Sequence, residues 1–206
     1  MHARNAAVIR AVVFDIGGVV CTFDPGRRLQ ALATRTGLDE ARIHRAIWES
    51  GLDGRAEAGE LSEAETERVL IDALDGRIDA SGLRRAWATA FPVDREVLGL
   101  VMALRRPAYA FTNNGPMFSI CLAHELVPLA HVFERVICSW EVRARKPETV
   151  AFARLCRETG QVAEELFFVD DSPDNVESGR AAGFTAIRFT SAPELAEDLR
   201  RRHLTG

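Results

Sequence analysis

Lysine is nearly absent from this chain. Of its 26 Lys and Arg residues only Lys146 is lysine, and it stands in the loop-like stretch Val142-Arg143-Ala144-Arg145-Lys146-Pro147, just after an apolar run. Arginine offers a planar fork, whereas lysine offers a compact point charge suited to one anionic oxygen in a tight site. The exception therefore points to chemistry, unless the composition has simply left one lysine behind. Cysteine is scarce too. Cys21, Cys121, Cys138 and Cys156 show no CxxC spacing, which indicates neither a zinc site nor a disulfide framework and fits a reducing cytoplasm. Cys21 reads as a small buried hydrophobe rather than a reactive thiol. No window approaches the ~20 apolar residues of a membrane span, and Met1 to Arg10 lacks the apolar run and cleavage pattern of a signal peptide. A broad basic field is missing as well. The net charge is -4, and the arginines interleave with Asp and Glu along helix-like stretches, which argues against nucleic acid as a partner. The expectation is a cytoplasmic globular protein, monomer or homodimer, that binds neither nucleic acid nor membrane.

What is present is a core-forming chain: 206 residues, 47% hydrophobic and 27% charged. Short apolar runs recur, each followed by turn residues and then a helical pattern, the rhythm of a parallel α/β sheet. Five strands are expected at Val8 to Phe14, Ala108 to Thr112, Arg135 to Cys138, Leu166 to Val169 and Thr185 to Arg188. Helices are expected at Arg95 to Leu104, Pro116 to Leu126, Pro147 to Thr159 and Asn175 to Ala182, with Pro147 at a helix start. Between the first two strands lies a stretch without strand character. There Ile43, Ile47 and Trp48, then Leu70, Ala73 and Leu74, then Leu83, Trp87 and Phe91 recur at helical spacing, and Ser62-Glu63-Ala64-Glu65 has a capping-box pattern. This gives an α/β fold with a three-layer, Rossmann-like parallel core from residues 1–23 and 93–206. An all-helical segment, 24–92, is inserted after the first strand, where it could cover a site at the strand ends.

Ligands gather at the carboxyl ends of parallel strands, and three of these strands end in chemistry. The first runs Val12-Val13-Phe14 into Asp15-Ile16-Gly17-Gly18, a carboxylate beside two glycines that let backbone approach a ligand. Asp15 there could coordinate a cation or attack a substrate; alone, it could equally be a loop Asp satisfied by amides. The second strand ends Thr112-Asn113-Asn114-Gly115 ahead of a helix start, an anion-binding arrangement or an ordinary cap. The fourth ends Val169-Asp170-Asp171-Ser172-Pro173-Asp174-Asn175. Adjacent carboxylates after a buried run repel unless a cation or donors neutralise them, and hard oxygen ligands in that number suit Mg²⁺. Asp174 reads as the cap of the next helix.

This ordered set of acid, hydroxyl, lysine and acid pair resembles the haloacid dehalogenase-like hydrolase superfamily, whose four motifs are a strand-end Asp, a Thr or Ser, a Lys, and an acidic pair. The helical insertion matches the cap domain of that superfamily's first subclass. The nearest variant has an Asp-x-Gly first motif and a Lys-Pro third motif, a branch that includes sugar-phosphate phosphatases acting on glucose 1-phosphate. The resemblance implies a Mg²⁺-dependent phosphatase of small phosphorylated metabolites. Asp15 would be the nucleophile that takes up the phosphoryl group, with Thr112 and Lys146 holding the phosphate and Asn113 adding a donor. Mg²⁺ would be held by Asp15, the Gly17 carbonyl and Asp171, with Asp170 as a further ligand or an acceptor behind it, and Asn175 would brace the acidic loop.

One position departs from that pattern. Most phosphatases of the superfamily carry a second Asp two residues after the nucleophile, as general acid and base; here Gly17 stands there, and it cannot donate a proton. The expectation is a substrate with a good leaving group, or a proton supplied from the insertion by Asp24 or Glu57, with Arg55 meeting an anionic substrate. Two other readings compete. Metal-independent 2-haloacid dehalogenation needs no acid pair and normally has an aromatic residue at the Gly17 position. A non-catalytic module that binds a phosphorylated ligand or a protein would have Gly17 as its first sign of decay.

Overall fold

The computed structural model describes residues 8–206; the part of the expected core at 1–7 lies outside the described residues. Five strands form one parallel sheet in the order β3-β2-β1-β4-β5: β1 (Ala11–Phe14), β2 (Ala108–Thr112), β3 (Arg135–Cys138), β4 (Leu166–Asp170) and β5 (Thr185–Arg188). The central strands read as unbroken apolar runs because both faces are covered, and every residue of β1 and β4 is buried. β1 is shorter than expected. Val8 is 69% exposed, and the ladder with β2 begins at Val12, paired with Ala108. The residue before Ala108 is Pro107, which has no N–H with which to extend the pairing.

The sheet's two faces have separate cores. Ala11, Val13, Phe111, Phe168 and Phe184 pack against helices α10 (Thr149–Thr159) and α11 (Pro173–Ala181) through Phe152, Leu155 and Val176. Phe152 is the hub, its ring meeting Phe168 and Phe184 edge-on at 5.5 Å each and Phe111 at 6.4 Å. On the other face Val12 and Phe14 meet helices α6 (Arg95–Met102), α7 (Pro116–His124), α8 (Val127–Ala130) and α12 (Ala192–Arg201). The fold is thus three layers, with the short α9 (Ser139–Val142) following β3.

The second core does not stop at the sheet. It runs on into the segment between β1 and β2, which folds as α1 (Pro25–Thr36), α2 (Glu40–His44), α3 (Leu52–Glu57), α4 (Glu63–Ala73) and α5 (Ala80–Ala88), with a π-helical turn at Arg45–Glu49. Leu32, Ile43, Ile47, Leu70, Leu74, Leu83 and Trp87 are all buried in it, as their helical spacing requires. The capping box is formed: Ser62 Oγ accepts from Glu65 N at 3.3 Å, and Ser62 N donates to Glu65 Oε2 at 2.8 Å. Gly59, at φ +77, lets the turn between α3 and α4 sit against α9, where a β-carbon would lie 2.6 Å from the Trp140 carbonyl. Among the described residues no helix is long and apolar enough to cross a membrane.

Two helix starts differ from expectation. α10 begins at Thr149 rather than Pro147, because Pro147 lies inside a turn closed by Glu148 N donating to Arg145 O at 2.9 Å. α11 begins at Pro173 and is capped by Ser172, whose Oγ accepts from Asn175 N. Asp174 therefore sits in the first turn and not at the cap; the Ser-Pro pair takes cap and first helical position.

Candidate active site

The sheet register brings the site together. Phe14 pairs with Ala110 on one side and Val169 on the other, so the next residue, Asp15, stands beside Phe111 and Asp170 at the carboxyl edge. Its backbone N–H donates to Val169 O at 2.8 Å, carrying the ladder to the last residue before the chain turns. Lys146 reaches the same place from the Arg145–Glu148 turn. Its Nζ donates to Phe111 O at 2.8 Å and Asp170 Oδ2 at 2.6 Å, and lies 2.9 Å from Asp15 Oδ1. All three ammonium protons are engaged, on a side chain 1% exposed. The chain's lone lysine thus sits where a small cation with three directed donors fits and a planar guanidinium does not.

Burial and charge work against each other here. Asp15 is pushed up to about 6, first by desolvation and then by the Asp170 charge, with Lys146 and the Ile16 amide pulling the other way. For Lys146 desolvation is the largest effect and acts downward, but Asp15 and Asp170 together outweigh it and hold the ammonium above its ordinary value. Asp15 Oδ1 takes both local donors, Ile16 N at 2.7 Å and Lys146 Nζ. Oδ2 accepts no hydrogen bond among the described residues, so its lone pairs are available to a ligand.

Asp170 is fully buried, and its second oxygen, Oδ1, accepts from Ser172 N and Asn175 Nδ2, each at 2.9 Å. Asp171, half-buried, is raised by desolvation and by Asp170. It faces the loop after β1, where Gly18 adopts φ +88, and a β-carbon on Gly18 would lie 2.3 Å from Asp171 Oδ2. Gly17 is different: a β-carbon there meets nothing closer than Phe23 at 3.5 Å.

Asp15, Asp170 and Asp171 each offer a carboxylate oxygen within 4.8 Å of the others. Among the described residues Lys146 is the one cation paired with these carboxylates, through Asp15 and Asp170, so the knot carries surplus negative charge. Hard oxygen donors with that surplus are what Mg²⁺ takes. The Gly17 carbonyl accepts no hydrogen bond among the described residues, and its donor character fits the same ion.

Thr112 is buried, and its Oγ1 accepts from Asn114 Nδ2 at 2.7 Å, which leaves the hydroxyl proton for another acceptor. Asn113 lies at the cavity wall, but its amide is engaged along the Lys146 backbone: Nδ2 donates to Lys146 O at 2.8 Å and Oδ1 accepts from Lys146 N at 2.9 Å. It fixes the Lys146 backbone in this way, and its second Nδ2 proton donates to nothing among the described residues. The cavity measures about 430 Å³, and its walls come from both the strand edge and the inserted helices. Of the three insertion residues considered from sequence, only Glu57 lines it. Asp24 instead caps α1 through Arg27 N, and Arg55 pairs with Glu60 at 3.0 Å on the surface. Sequence reasoning missed Arg28, Asp53 and Thr66, which also line the cavity, because nothing in a helical pattern says which face is turned toward a distant strand end. Cys21 is fully buried and its thiol is pushed up to about 12 by desolvation, as a space-filling residue would be.

Comparisons with known proteins identify the family. Residues 9–183 match the model of the haloacid dehalogenase-like hydrolases, and the chain belongs to that family. Among curated relatives it is 27% identical over 201 residues to a D-ribitol-5-phosphate phosphatase of Bacteroides thetaiotaomicron, covering 93% of this chain and 97% of the relative. It is 28% identical over 214 residues to a phosphoglycolate phosphatase of Chromobacterium violaceum, covering 95% and 93%. A crystal structure of a HAD-family enzyme from B. thetaiotaomicron, in complex with magnesium and inorganic phosphate, superposes with a TM-score of 0.71 at 20% identity, over 88% of this chain and 94% of that one. That likeness establishes the α/β fold.

Proposed function

We propose that this chain is a phosphatase that hydrolyses small phosphorylated metabolites through a covalent phosphoryl-aspartate on Asp15. The observation that carries the reading is the state of Asp15, which lines the cavity: one carboxylate oxygen is fixed by Ile16 N and Lys146, and the other accepts no hydrogen bond among the described residues. Its phosphatase relatives support the same reaction class.

Asp15 Oδ2 attacks phosphorus; the O–P bond forms as the bond to the ester oxygen breaks, and the leaving alkoxide takes a proton from solvent water. Water then cleaves the mixed anhydride, releasing inorganic phosphate and restoring the carboxylate. Thr112 donates its hydroxyl proton to a phosphate oxygen, and Lys146 places a full positive charge beside the nucleophile. Positioning and charge of this kind supply most of the catalysis in phosphoryl transfer. Asn113 holds the Lys146 backbone, and Asn175 with the Ser172 amide holds Asp170. Mg²⁺ would be held by Asp15, Asp171 and the Gly17 carbonyl, with Asp170 behind them, and when bound it supplies charge neutralisation between carboxylates and phosphate.

Gly17 supplies no proton to the leaving group. Residues 24–92 act as a cap whose helices close the cavity, with Glu57 packed against the loop after β2. The test is phosphate release from a panel of esters that includes glucose 1-phosphate and an aryl phosphate, with Mg²⁺ or chelator, for wild type and Asp15→Asn. Metal-dependent release lost in the variant is the expected result; no release from any ester would overturn the reading in favour of a binding module or a dehalogenase.

A further inference from the structure

The end of β3 carries a residue that the reaction above does not use. Cys138, the last residue of the strand, pairs in register with Thr112, so the next residue, Ser139, stands beside the loop after β2. Ser139 is 1% exposed and ties two loops together. Its carbonyl oxygen accepts from Ala144 N at 3.2 Å, on the stretch that leads to Lys146, and its Oγ donates to Asn114 O at 3.3 Å. Asn114 is held a second time by its own N–H, which donates to Thr112 O at 3.1 Å. With that backbone fixed on both sides, the side chain turns back, and Nδ2 donates to Thr112 Oγ1 at 2.7 Å. Thr112 and Asn114 both line the cavity that holds Asp15.

This contact decides which way the Thr112 hydroxyl points. A threonine hydroxyl has one proton and two lone pairs. An amide N–H on one lone pair keeps the proton off Asn114, and among the described residues Thr112 Oγ1 donates to no other group. A buried proton without an acceptor is poised for an anionic oxygen, and hydrogen bonds to charged acceptors are the strong ones. Aimed before the substrate arrives, it needs no reorganisation as charge develops on the phosphoryl group.

We propose that Asn114, steadied by Ser139, is a positioning residue that commits the Thr112 proton to a phosphate oxygen. This rests on the phosphatase reading above. It gives the end of β3 a part in the site, and because it acts on the phosphoryl group it acts on every ester alike, whatever the leaving group.

The experiment follows hydrolysis of an aryl phosphate across pH. Asn114→Asp is nearly isosteric, but its ionised carboxylate only accepts, so it draws the Thr112 proton to itself. At about pH 8 its kcat/KM is expected to fall at least ~30-fold below wild type. The ratio of variant to wild type should then recover ~5-fold or more as pH falls to about 5, where the carboxyl regains a proton and donates to Thr112 as the amide does. The charged groups that share the wall, Asp15, Arg28, Asp53, Glu57 and Lys146, are common to both enzymes, so the ratio reports the new carboxyl. Asn114→Ala removes the donor without adding charge and should lose about 5–10-fold; in Thr112→Val, which has no hydroxyl to aim, the same change should lose less than about 2-fold. Thermal melting reports whether each variant folds, and the Asn114→Ala and Thr112→Val set suffices if Asn114→Asp does not. If wild type hydrolyses the ester while Asn114→Asp matches it at the higher pH, or stays at a constant fraction of it at every pH, or Asn114→Ala loses as much without the hydroxyl as with it, this assignment is overturned and the phosphatase reading stands. If wild type releases no phosphate from the aryl ester or from glucose 1-phosphate, the phosphatase reading falls and the positioning role falls with it.

Discussion

Gly18 and Asp171 approach so closely that a β-carbon on the glycine would lie 2.3 Å from the Asp171 carboxylate oxygen, at a backbone φ of +88. The acidic loop after β4 and the glycine loop after β1 thus fit together only because one residue has no side chain.

Gly18→Ala carries two penalties, a left-handed backbone worth about 1–2 kcal/mol for an L-residue and displacement of Asp171. The expected outcome is a lower melting temperature and a loss of turnover of at least ~10-fold, accompanied by weaker Mg²⁺ dependence. Gly17→Ala is the control, because its β-carbon would meet only ordinary contact; its melting temperature should match wild type.

The same open space makes Gly17→Asp a permitted substitution. An acid there can protonate the leaving group, and general acid assistance contributes ~10²–10⁴-fold. Alkyl phosphates, whose alkoxides leave poorly, should gain more than aryl phosphates. A leaving-group series in wild type and variant measures this, and the expected result is a shallower dependence on leaving-group pKa in Gly17→Asp. Equal handling of alkyl and aryl esters by wild type would remove the reason to expect any gain.

Lys146→Met keeps the length of the side chain and removes the charge. Asp15 and Asp170 then face each other without their shared cation, and breaking a buried pair by removing one partner costs about 3–5 kcal/mol. Denaturant unfolding at neutral pH in the presence of chelator should show a loss of that order, and phosphate release should fall by at least ~10²-fold.

Phe152→Ala tests the core without touching the cavity wall. Phe152 is fully buried, with three aromatic partners that include Phe111 and Phe168, from strands on either side of β1. Removing the ring should lower unfolding free energy by about 3–5 kcal/mol. The Asp15-dependent activity that remains at low temperature, measured as kcat per folded molecule, should change far less.

Much of this was legible in the chain. The five apolar runs fall on the five strands because a sheet covered on both faces demands continuous apolar residues, and Asp15, Thr112 and Asp170 sit at strand ends because the runs stop there. Lys146 stood out by its rarity. The boundaries that slipped, at Val8, Pro147 and Asp174, turned on the N–H that Pro107 lacks and on hydrogen bonds to Arg145 and Ser172, which a local pattern does not contain.

What the sequence by itself determined is the set of elements and the order in which its chemical groups follow them, because periodicity and turn residues act over a few positions. Only the tertiary structure decided which oxygen of Asp15 is free, that Asn113 secures Lys146, and that Arg28 and Thr66 reach the same cavity as Asp15. Those relationships join residues tens of positions apart. They exist only after the sheet register and the packing of the inserted helices have fixed each side chain's direction, and no spacing along the chain encodes that.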